Sequence, residues 1–166
     1  MIRIRKYQKK DLIECARISK ETFYEFASEE EKNSKPAQEY MDAYDTKKDI
    51  DAVRKMMEMS KMFFVAEVNN KIIGLVRGGF EFANGKIIKD IGRVRGLYVN
   101  GRYHKKGIGR MLMKRFEKEA IEKGFRQIKI RASFYAIPFY QKVGYKKSTG
   151  VRNMGGLDVY PMRKYL

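Results

Sequence analysis

The positions of apolar and polar residues predict helices in the first third of the chain. Apolar and basic residues alternate over residues 2–6, which predicts a short first strand. From Asp11 to about Ala27 apolar side chains recur at helical spacing, and further helical stretches are predicted over about 37–43 and 48–60. Between the first two helices lies the polar segment 29–36, whose proline is predicted to break the helix.

The pattern changes to that of a sheet in the middle of the chain. Residues 62–68 are an apolar run, and strands are predicted to follow over 72–82 and about 86–99. The pairs Asn69-Asn70 and Asn84-Gly85 separate these segments. Because such pairs favour tight hairpin turns, the three strands are predicted to form two consecutive hairpins, with a β-bulge at Gly78-Gly79.

The residue pattern in the last third of the chain predicts a helix, a strand, a short helix and a final strand. The first helix has an apolar stripe and ends at Lys123-Gly124. The residues of the stripe are Ile108, Met111, Leu112, Phe116, Ala120 and Ile121. A strand over 126–132 precedes a short helix that Ser133 caps and that runs to about Val143, and residues 157–165 form the last strand. The order of elements predicts an α/β (α+β) fold with a mixed sheet, and the length predicts one domain over 1–166.

Composition adds a strong positive charge with an uneven distribution. The chain has 37 Lys and Arg against 20 Asp and Glu, a net charge of +17. Nucleic acid, a phosphate-bearing cofactor or a solvated basic surface would each account for this excess. Residues 21–51 nevertheless carry a net charge of −6, which would attract a cationic amine.

Cysteine content and hydropathy favour a cytoplasmic protein without a membrane partner. The single cysteine, Cys15, excludes an internal disulfide and fits a reducing compartment. No run of apolar residues approaches the length of a membrane span, and the first residues lack the apolar segment of a signal peptide.

The loop after the third predicted strand has the features of a phosphate site. It runs through a basic turn directly into the amphipathic helix, whose first main-chain N–H groups have no partner within the helix. Gly107 and Gly109 leave these groups accessible, and Lys105, Lys106 and Arg110 add positive charge. A P-loop would need Gly-Lys-Ser/Thr, and a dinucleotide fingerprint would need a third glycine, and neither is present.

Two segments resemble the signatures of the GNAT N-acetyltransferases. The sequence His104-Lys105-Lys106-Gly107-Ile108-Gly109 resembles that family's acetyl-CoA motif, Gln/Arg-x-x-Gly-x-Gly/Ala. Residues 136–145 are similar to its second signature, Ala-x-x-x-Tyr-x-x-x-Gly-Phe/Tyr, and the order of elements matches over nearly all of the chain. The resemblance implies a GNAT-like mixed, mostly antiparallel sheet flanked by helices. It also implies an enzyme that moves an acetyl group from acetyl-CoA, without a metal, to a polyamine, a lysine side chain or a protein N-terminus.

The same resemblance implies roles for individual residues. Main-chain groups of the strand end would hold the pantetheine arm and the acetyl carbonyl, and the loop would hold the pyrophosphate. Tyr140 would be the general acid that protonates the leaving thiolate, a role that a neutral phenol can fill. The implied cofactor-binding residues are Leu97, Tyr98, Val99, His104, Lys105, Lys106, Gly107, Ile108, Gly109 and Arg110.

The sequence departs from the family pattern at three points. His104 occupies the Gln/Arg position of the first motif, and Tyr135 stands where an asparagine often precedes the second. Where many relatives carry a glutamate on the strand before the loop, this chain has Arg93 and Arg95. Arginine cannot deprotonate an ammonium group, so the general base is left unassigned.

Several alternatives stay open at this level. Asp90, Glu81 or another carboxylate could act as the base through water, or the amine could arrive neutral. A nucleic-acid-binding protein with exposed aromatic and basic residues is one rival to the enzyme. A catalytically silent relative that binds acetyl-CoA is another, and the partners could include a second copy of the chain in a homodimer.

Overall fold

The computed structural model describes residues 1–166 and contains one mixed sheet of eight strands flanked by helices. The strand order is β1-β2-β3-β4-β5-β8-β6, with β7 paired to β8, and the only parallel pair is β4–β5. This mostly antiparallel mixed sheet confirms the predicted fold class. The strands are β1 (Arg3–Lys6), β2 (Met62–Val68), β3 (Lys71–Ala83), β4 (Lys86–Val99), β5 (Gln127–Ala132), β6 (Lys146–Lys147), β7 (Arg152–Met154) and β8 (Leu157–Tyr165).

Six α-helices connect and cover the strands. They are α1 (Leu12–Phe26), α2 (Glu29–Lys32), α3 (Lys35–Asp42), α4 (Thr46–Glu58), α5 (Ile108–Glu122) and α6 (Ile137–Lys142). Short 3-10 turns precede α1 and α6, and a third lies between β4 and α5. None of the helices has both the length and the apolar composition that crossing a membrane requires.

The polar segment after α1 is more ordered than its composition predicts. Ser28 and Glu31 form a capping box, in which each side chain accepts a hydrogen bond from the other residue's main-chain N–H. This box starts α2, and Ser34 caps α3 by accepting from the N–H of Ala37. The predicted break is present, since α1 ends at Phe26, but the short helix α2 within the segment was not predicted.

Two apolar cores lie on opposite faces of the sheet. Neighbouring residues of β2 point to different sides, so that Phe64 packs with α5 and α6 while Phe63 packs with α1 and α4. The α5 stripe also differs from its prediction: Met111 and Ile121 are exposed, whereas Met113 and Glu119 are buried. Glu119 is stabilised there by basic neighbours, including Arg115.

Both predicted hairpins are present, and the predicted bulge has a specific form. Asn69-Asn70 and Asn84-Gly85 have positive φ at both turn positions, as a type I′ turn requires. The register between β3 and β4 shifts at Gly78, and the extra residue is Arg95 on β4. A β carbon at Gly78 would overlap the main chain of β4, so this close approach requires glycine.

Candidate functional site

The centre of the sheet contains a gap between β4 and β5. Their parallel ladder consists of three residue pairs and ends at Arg93 opposite Lys129. Beyond it β4 stays paired with β3, while β5 pairs with β8 up to Ala132 opposite Tyr160. The two strands therefore diverge, and main-chain groups on the inner edges of the gap have no strand partner.

The end of β4 presents two residues to this gap. The N–H of Asn100 donates to the Ile73 carbonyl oxygen at 2.9 Å, which places the main chain of Asn100 towards β3. Because antiparallel pairs alternate, Leu97 and Val99 direct their main-chain groups away from β3. Tyr98, between them, instead turns its side chain towards α3 and α1.

The loop from β4 to α5 presents a row of main-chain donors. None of the N–H groups of residues 105–110 donates a hydrogen bond within the chain, and the first return bond of α5 is from Met111 to the carbonyl oxygen of Gly107. Gly107 caps the helix with φ of +79°, where a β carbon would meet nothing within 4 Å. Lys105, Lys106 and Arg110 are exposed around this row. The arrangement suits a polyphosphate, since it combines free donors, a helix N-terminus and positive charge.

Gly109 meets a different requirement from Gly107. A β carbon there would lie 3.1 Å from the Phe139 ring, so the residue lets α5 pack closely against α6. Both glycines were predicted to leave room for a ligand, and Gly109 in addition allows this helix packing. This packing fixes the position of α6 and hence of Tyr140 relative to the donor row.

His104 is held by the end of the strand rather than projecting from the loop. Its Nε2 lies 2.6 Å from the carbonyl oxygen of Val99, so Nε2 carries the proton. Its ring stacks on Phe26, which also stacks on Tyr135, and the Tyr135 hydroxyl lies 3.4 Å from Nδ1. Three aromatic residues from α1, the loop and the turn before α6 thus fix the loop, and no pattern in the sequence indicates this long-range contact.

Tyr140 lies on α6, on the same side of the sheet as α5. Its side chain is 6% exposed and packs edge-on against Phe139 and Tyr145. The hydroxyl makes no hydrogen bond within the chain. Burial raises the pKa of Tyr140 well above the ordinary value, so the phenol is neutral at pH 7 and can donate a hydrogen bond.

A tyrosine network that sequence analysis missed lies on the opposite face of the sheet. Tyr98 of β4 has its hydroxyl in contact with that of Tyr40, and Tyr44 packs against both rings. Burial, with a contribution from neighbouring Tyr140, raises the pKa of Tyr98. Tyr44 in turn accepts a hydrogen bond of 2.8 Å from buried Arg77. Three tyrosine side chains therefore pack together beside the end of β4 on this face.

The two carboxylates considered as general bases are poorly suited to that role. Glu81 is buried, forms an ion pair with Arg93 and accepts from the N–H of Phe82. Burial, the largest influence, would raise its pKa, but the hydrogen bonds from Arg93 and Phe82 together with the charges of Arg93 and Lys129 lower it, which makes the carboxylate a weak base. Asp90 is exposed and precedes the β4–β5 ladder, at the end away from the gap.

Most of the acidic residues in segment 21–51 have local basic partners. Ion pairs join Lys20 to Asp45 at 2.8 Å and Lys48 to Asp42 at 2.6 Å. The other acidic residues paired in the same way are Glu21, Glu29, Glu39 and Asp51. Three of the partners, Arg17, Lys20 and Arg54, lie outside the segment, so it offers less free negative charge to a ligand than its net charge of −6 indicates.

Comparisons with known proteins agree with this geometry. Residues 11–166 match the family model described as an acetyltransferase (GNAT) domain. The solved structure of PaiA N-acetyltransferase from Thermoplasma acidophilum in complex with coenzyme A is 27% identical, with a TM-score of 0.69 over 100% of this chain and 99% of that one. Ard1 from Thermoplasma volcanium, 18% identical, has a TM-score of 0.74 over 99% and 97% of the two chains. A ribosomal-protein-alanine N-acetyltransferase from Brucella melitensis, also 18% identical, has a TM-score of 0.73 over 99% of each chain.

Proposed function

Since the chain belongs to the GNAT acetyltransferase family, we propose that its residues 1–166 act as one N-acetyltransferase domain that moves the acetyl group of acetyl-CoA to a primary amine. The observation that carries this proposal is the combination of a strand gap with a row of free main-chain donors at its mouth. The donors suit a diphosphate, and the gap suits an extended arm that carries a thioester.

The residues of the chain fit acetyl-CoA, which supplies an activated acetyl group when it is bound. The N–H groups of residues 105–110 would hold the pyrophosphate, with Lys105, Lys106 and Arg110 adding charge. The open φ-positive position of Gly107 leaves room for a phosphate against the main chain. His104 positions the loop through its bond to Val99, so we assign it a positioning role rather than direct phosphate contact.

The strand end and Tyr140 would act on the reacting atoms. Main-chain groups of Leu97 and Val99 face the gap and would orient the acetyl carbonyl, and an N–H there would stabilise negative charge on its oxygen. Tyr140 would donate its phenolic proton to the departing sulfur, since its raised pKa keeps the proton in place at pH 7. Orientation of the amine and the thioester would supply much of the rate enhancement.

Because neither Glu81 nor Asp90 is suited to act as the base, we expect an unusual pH dependence. If no side chain removes the ammonium proton, kcat/KM should follow the fraction of neutral amine and rise about tenfold per pH unit from pH 6 to pH 9. A carboxylate or histidine base would instead produce a plateau near its own pKa. A plateau of kcat/KM below pH 8, measured with an alkylamine whose pKa is about 10, would contradict our account of the base.

Thiol release and calorimetry test the proposal directly. Acetyl-CoA should bind the purified protein, and an amine panel containing spermidine, lysine and an N-terminal peptide should release free thiol with a matching acetylated product by mass. Binding of acetyl-CoA without turnover of any amine would support a silent relative. Failure to bind acetyl-CoA would overturn the proposal.

A further inference from the structure

A group of arginine and lysine residues occupies the sheet face opposite α5. Alternation along β5 places Ile128 and Ile130 in the α5 core and directs Lys129 and Arg131 to the other face. Arg93 is paired across from Lys129 and shares that face. We call this surface the basic face; it consists of Arg93, Arg95, Lys129, Arg131 and Arg152.

The basic face surrounds the gap. Arg93 and Lys129 form its closed end, and Arg95 and Arg131 each stand two residues further along the diverging strands, about 7 Å away at the rise of a β-strand. Arg152 of β7 is paired with Val159 of β8, and Arg131 of β5 is paired with Pro161 of β8. Because Val159 and Pro161 are two residues apart on one strand, Arg152 and Arg131 lie on the same face of the sheet. The turn between β7 and β8 contacts α3, because a β carbon at Gly156 would overlap Pro36.

The positive charges of this face have almost no counter-charge within the protein. Glu81 pairs with Arg93, whereas Arg95, Lys129, Arg131 and Arg152 have no ion-pair partner. Arg95 donates one hydrogen bond, to the carbonyl oxygen of Phe80 at 2.8 Å. Other arginines of the chain, such as those of α1 and α4, do pair with nearby carboxylates.

Repulsion between the positive charges of the basic face contributes to lowered pKa values for two of its residues. Burial lowers the pKa of Arg95, and the charges of Arg93, Arg77 and Arg131 lower it further, with Glu81 acting in the opposite direction. Burial and the charges of Arg93 and Arg152 likewise lower the pKa of Arg131. Like charges held together in this way favour an anion.

A buried guanidinium lies behind the same face. Arg77 is 5% exposed and bonds to the hydroxyl groups of Ser60 at 3.2 Å and Tyr44 at 2.8 Å, but not to any carboxylate. Its Nε has no partner and lies 3.5 Å from where a β carbon of Gly96 would stand on β4. A buried cation without a counter-ion is costly, and an anion on the face in front of it would reduce that cost.

The direction of approach connects the basic face to the acceptor. The donor row and Tyr140 lie on the α5 side, so the acetyl group would enter the gap from that side and the amine would approach from the opposite one. We propose that the acceptor carries an anionic group, a carboxylate or a phosphate, that binds Arg131 and Arg152 while its amine enters the gap. This inference rests on the proposed acetyltransferase function and disfavours a polyamine, which the basic face would repel.

Matched pairs of small amines test the inference. β-Alanine and propylamine differ by a carboxylate, and phosphoethanolamine and ethanolamine differ by a phosphate, so the two pairs separate the two anion sources. In calorimetric titrations of CoA-saturated protein we expect at least one anionic member to bind about tenfold more tightly than its neutral partner. The same preference should appear in kcat/KM for thiol release.

Variants connect the preference to the basic face. Arg131→Gln and Arg152→Gln should each reduce the preference severalfold, and the double variant should abolish it, while acetyl-CoA affinity stays unchanged. Arg126→Gln is the matched control, since Arg126 is exposed, has no ion pair and lies at the other end of β5. It should retain the full preference.

The outcomes separate this inference from the proposed function. Equal binding of both members in both pairs would overturn the proposal of an anionic acceptor. So would spermidine binding more tightly than the anionic amines, with an affinity that rises further in the two variants. Binding of a short RNA that the two variants abolish would also overturn it and assign the face to nucleic acid. The titration needs no turnover and can be repeated on the protein without CoA, so absence of turnover or of acetyl-CoA binding counts against the proposed function alone.

Discussion

Charge reversal at Lys106 should weaken coenzyme A binding by an amount that the position of the residue allows us to work out. Lys106 is exposed immediately before Gly107, with its Nζ 5.3 Å from the centre of the Tyr103 ring. An ammonium group about 6 Å from one phosphate charge contributes about 0.7 kcal/mol in water. Lys106→Glu reverses that contribution, so the change is roughly 1.4 kcal/mol, or about tenfold in Kd.

Lys118→Glu provides the matched control on the same helix. Lys118 is also exposed and has no ion pair, but it lies roughly ten residues after the start of α5. At the rise of an α-helix this is about 15 Å from the donor row, beyond the Debye length of about 8 Å at physiological salt. Its charge reversal should leave the Kd of coenzyme A within about twofold of wild type.

Isothermal titration of coenzyme A at low and high salt distinguishes the two variants. The loss in Lys106→Glu should shrink as salt rises, because an exposed charge is screened. Equal losses in both variants would mean that the net charge of the protein, rather than the loop, attracts the cofactor. An unchanged Kd in Lys106→Glu at low salt would refute the assignment of the phosphate site to this loop.

Three further substitutions test the catalytic group and the fold. Tyr140→Phe should lower kcat about a hundredfold and leave the Kd of coenzyme A within about twofold; wild-type kcat in stopped-flow assays would remove the phenol from the reaction. Gly78→Ala should lower the free energy of unfolding in urea by about 3 kcal/mol, because the added β carbon would overlap a β4 carbonyl oxygen. Gly79→Ala is the control and should lower it by less than about 0.5 kcal/mol, since the nearest atoms there lie 3.6 Å from a β carbon. Similar losses at both positions would contradict the bulge geometry. Asp11→Asn should cost about 2 kcal/mol at pH 7, since it breaks a two-bond ion pair with Arg5 of 2.7 and 3.0 Å. Burial would raise the pKa of Asp11, but Arg5 lowers it, so the stabilisation is present above the ordinary pKa of 3.8 and is lost as the pH falls below it. The difference between wild type and variant in urea titrations should therefore shrink below pH 4, and a constant difference would contradict this assignment.

Features that depend on neighbouring residues in the sequence were predicted well. The two hairpins follow from turn residues that tolerate positive φ, and the donor loop follows from a glycine at the start of an amphipathic helix. The capping box of Ser28 and Glu31 was also readable, but the acidic composition around it concealed a short helix.

Features that depend on tertiary contacts could not be predicted in this way. The two-residue strand β6 and three-residue strand β7 exist because β8 lies beside them, and neither has a pattern long enough to detect. At the site, the sequence located His104 but not its bond to Val99 or its stack on Phe26. The burial of Arg77 was likewise hidden, because a lone arginine in an apolar strand gives no indication of which partners it lacks.

The short ladder between β4 and β5 has a mechanical consequence. The antiparallel strands β1–β4 and the strands β5–β8 are joined by only three residue pairs, so little main-chain bonding crosses this seam. An extended molecule lying in the opening can bond to both sides, in effect as an added strand. Binding of such a molecule should then hold the two halves of the sheet together, and hydrogen exchange of main-chain amides should slow on both sides of the seam.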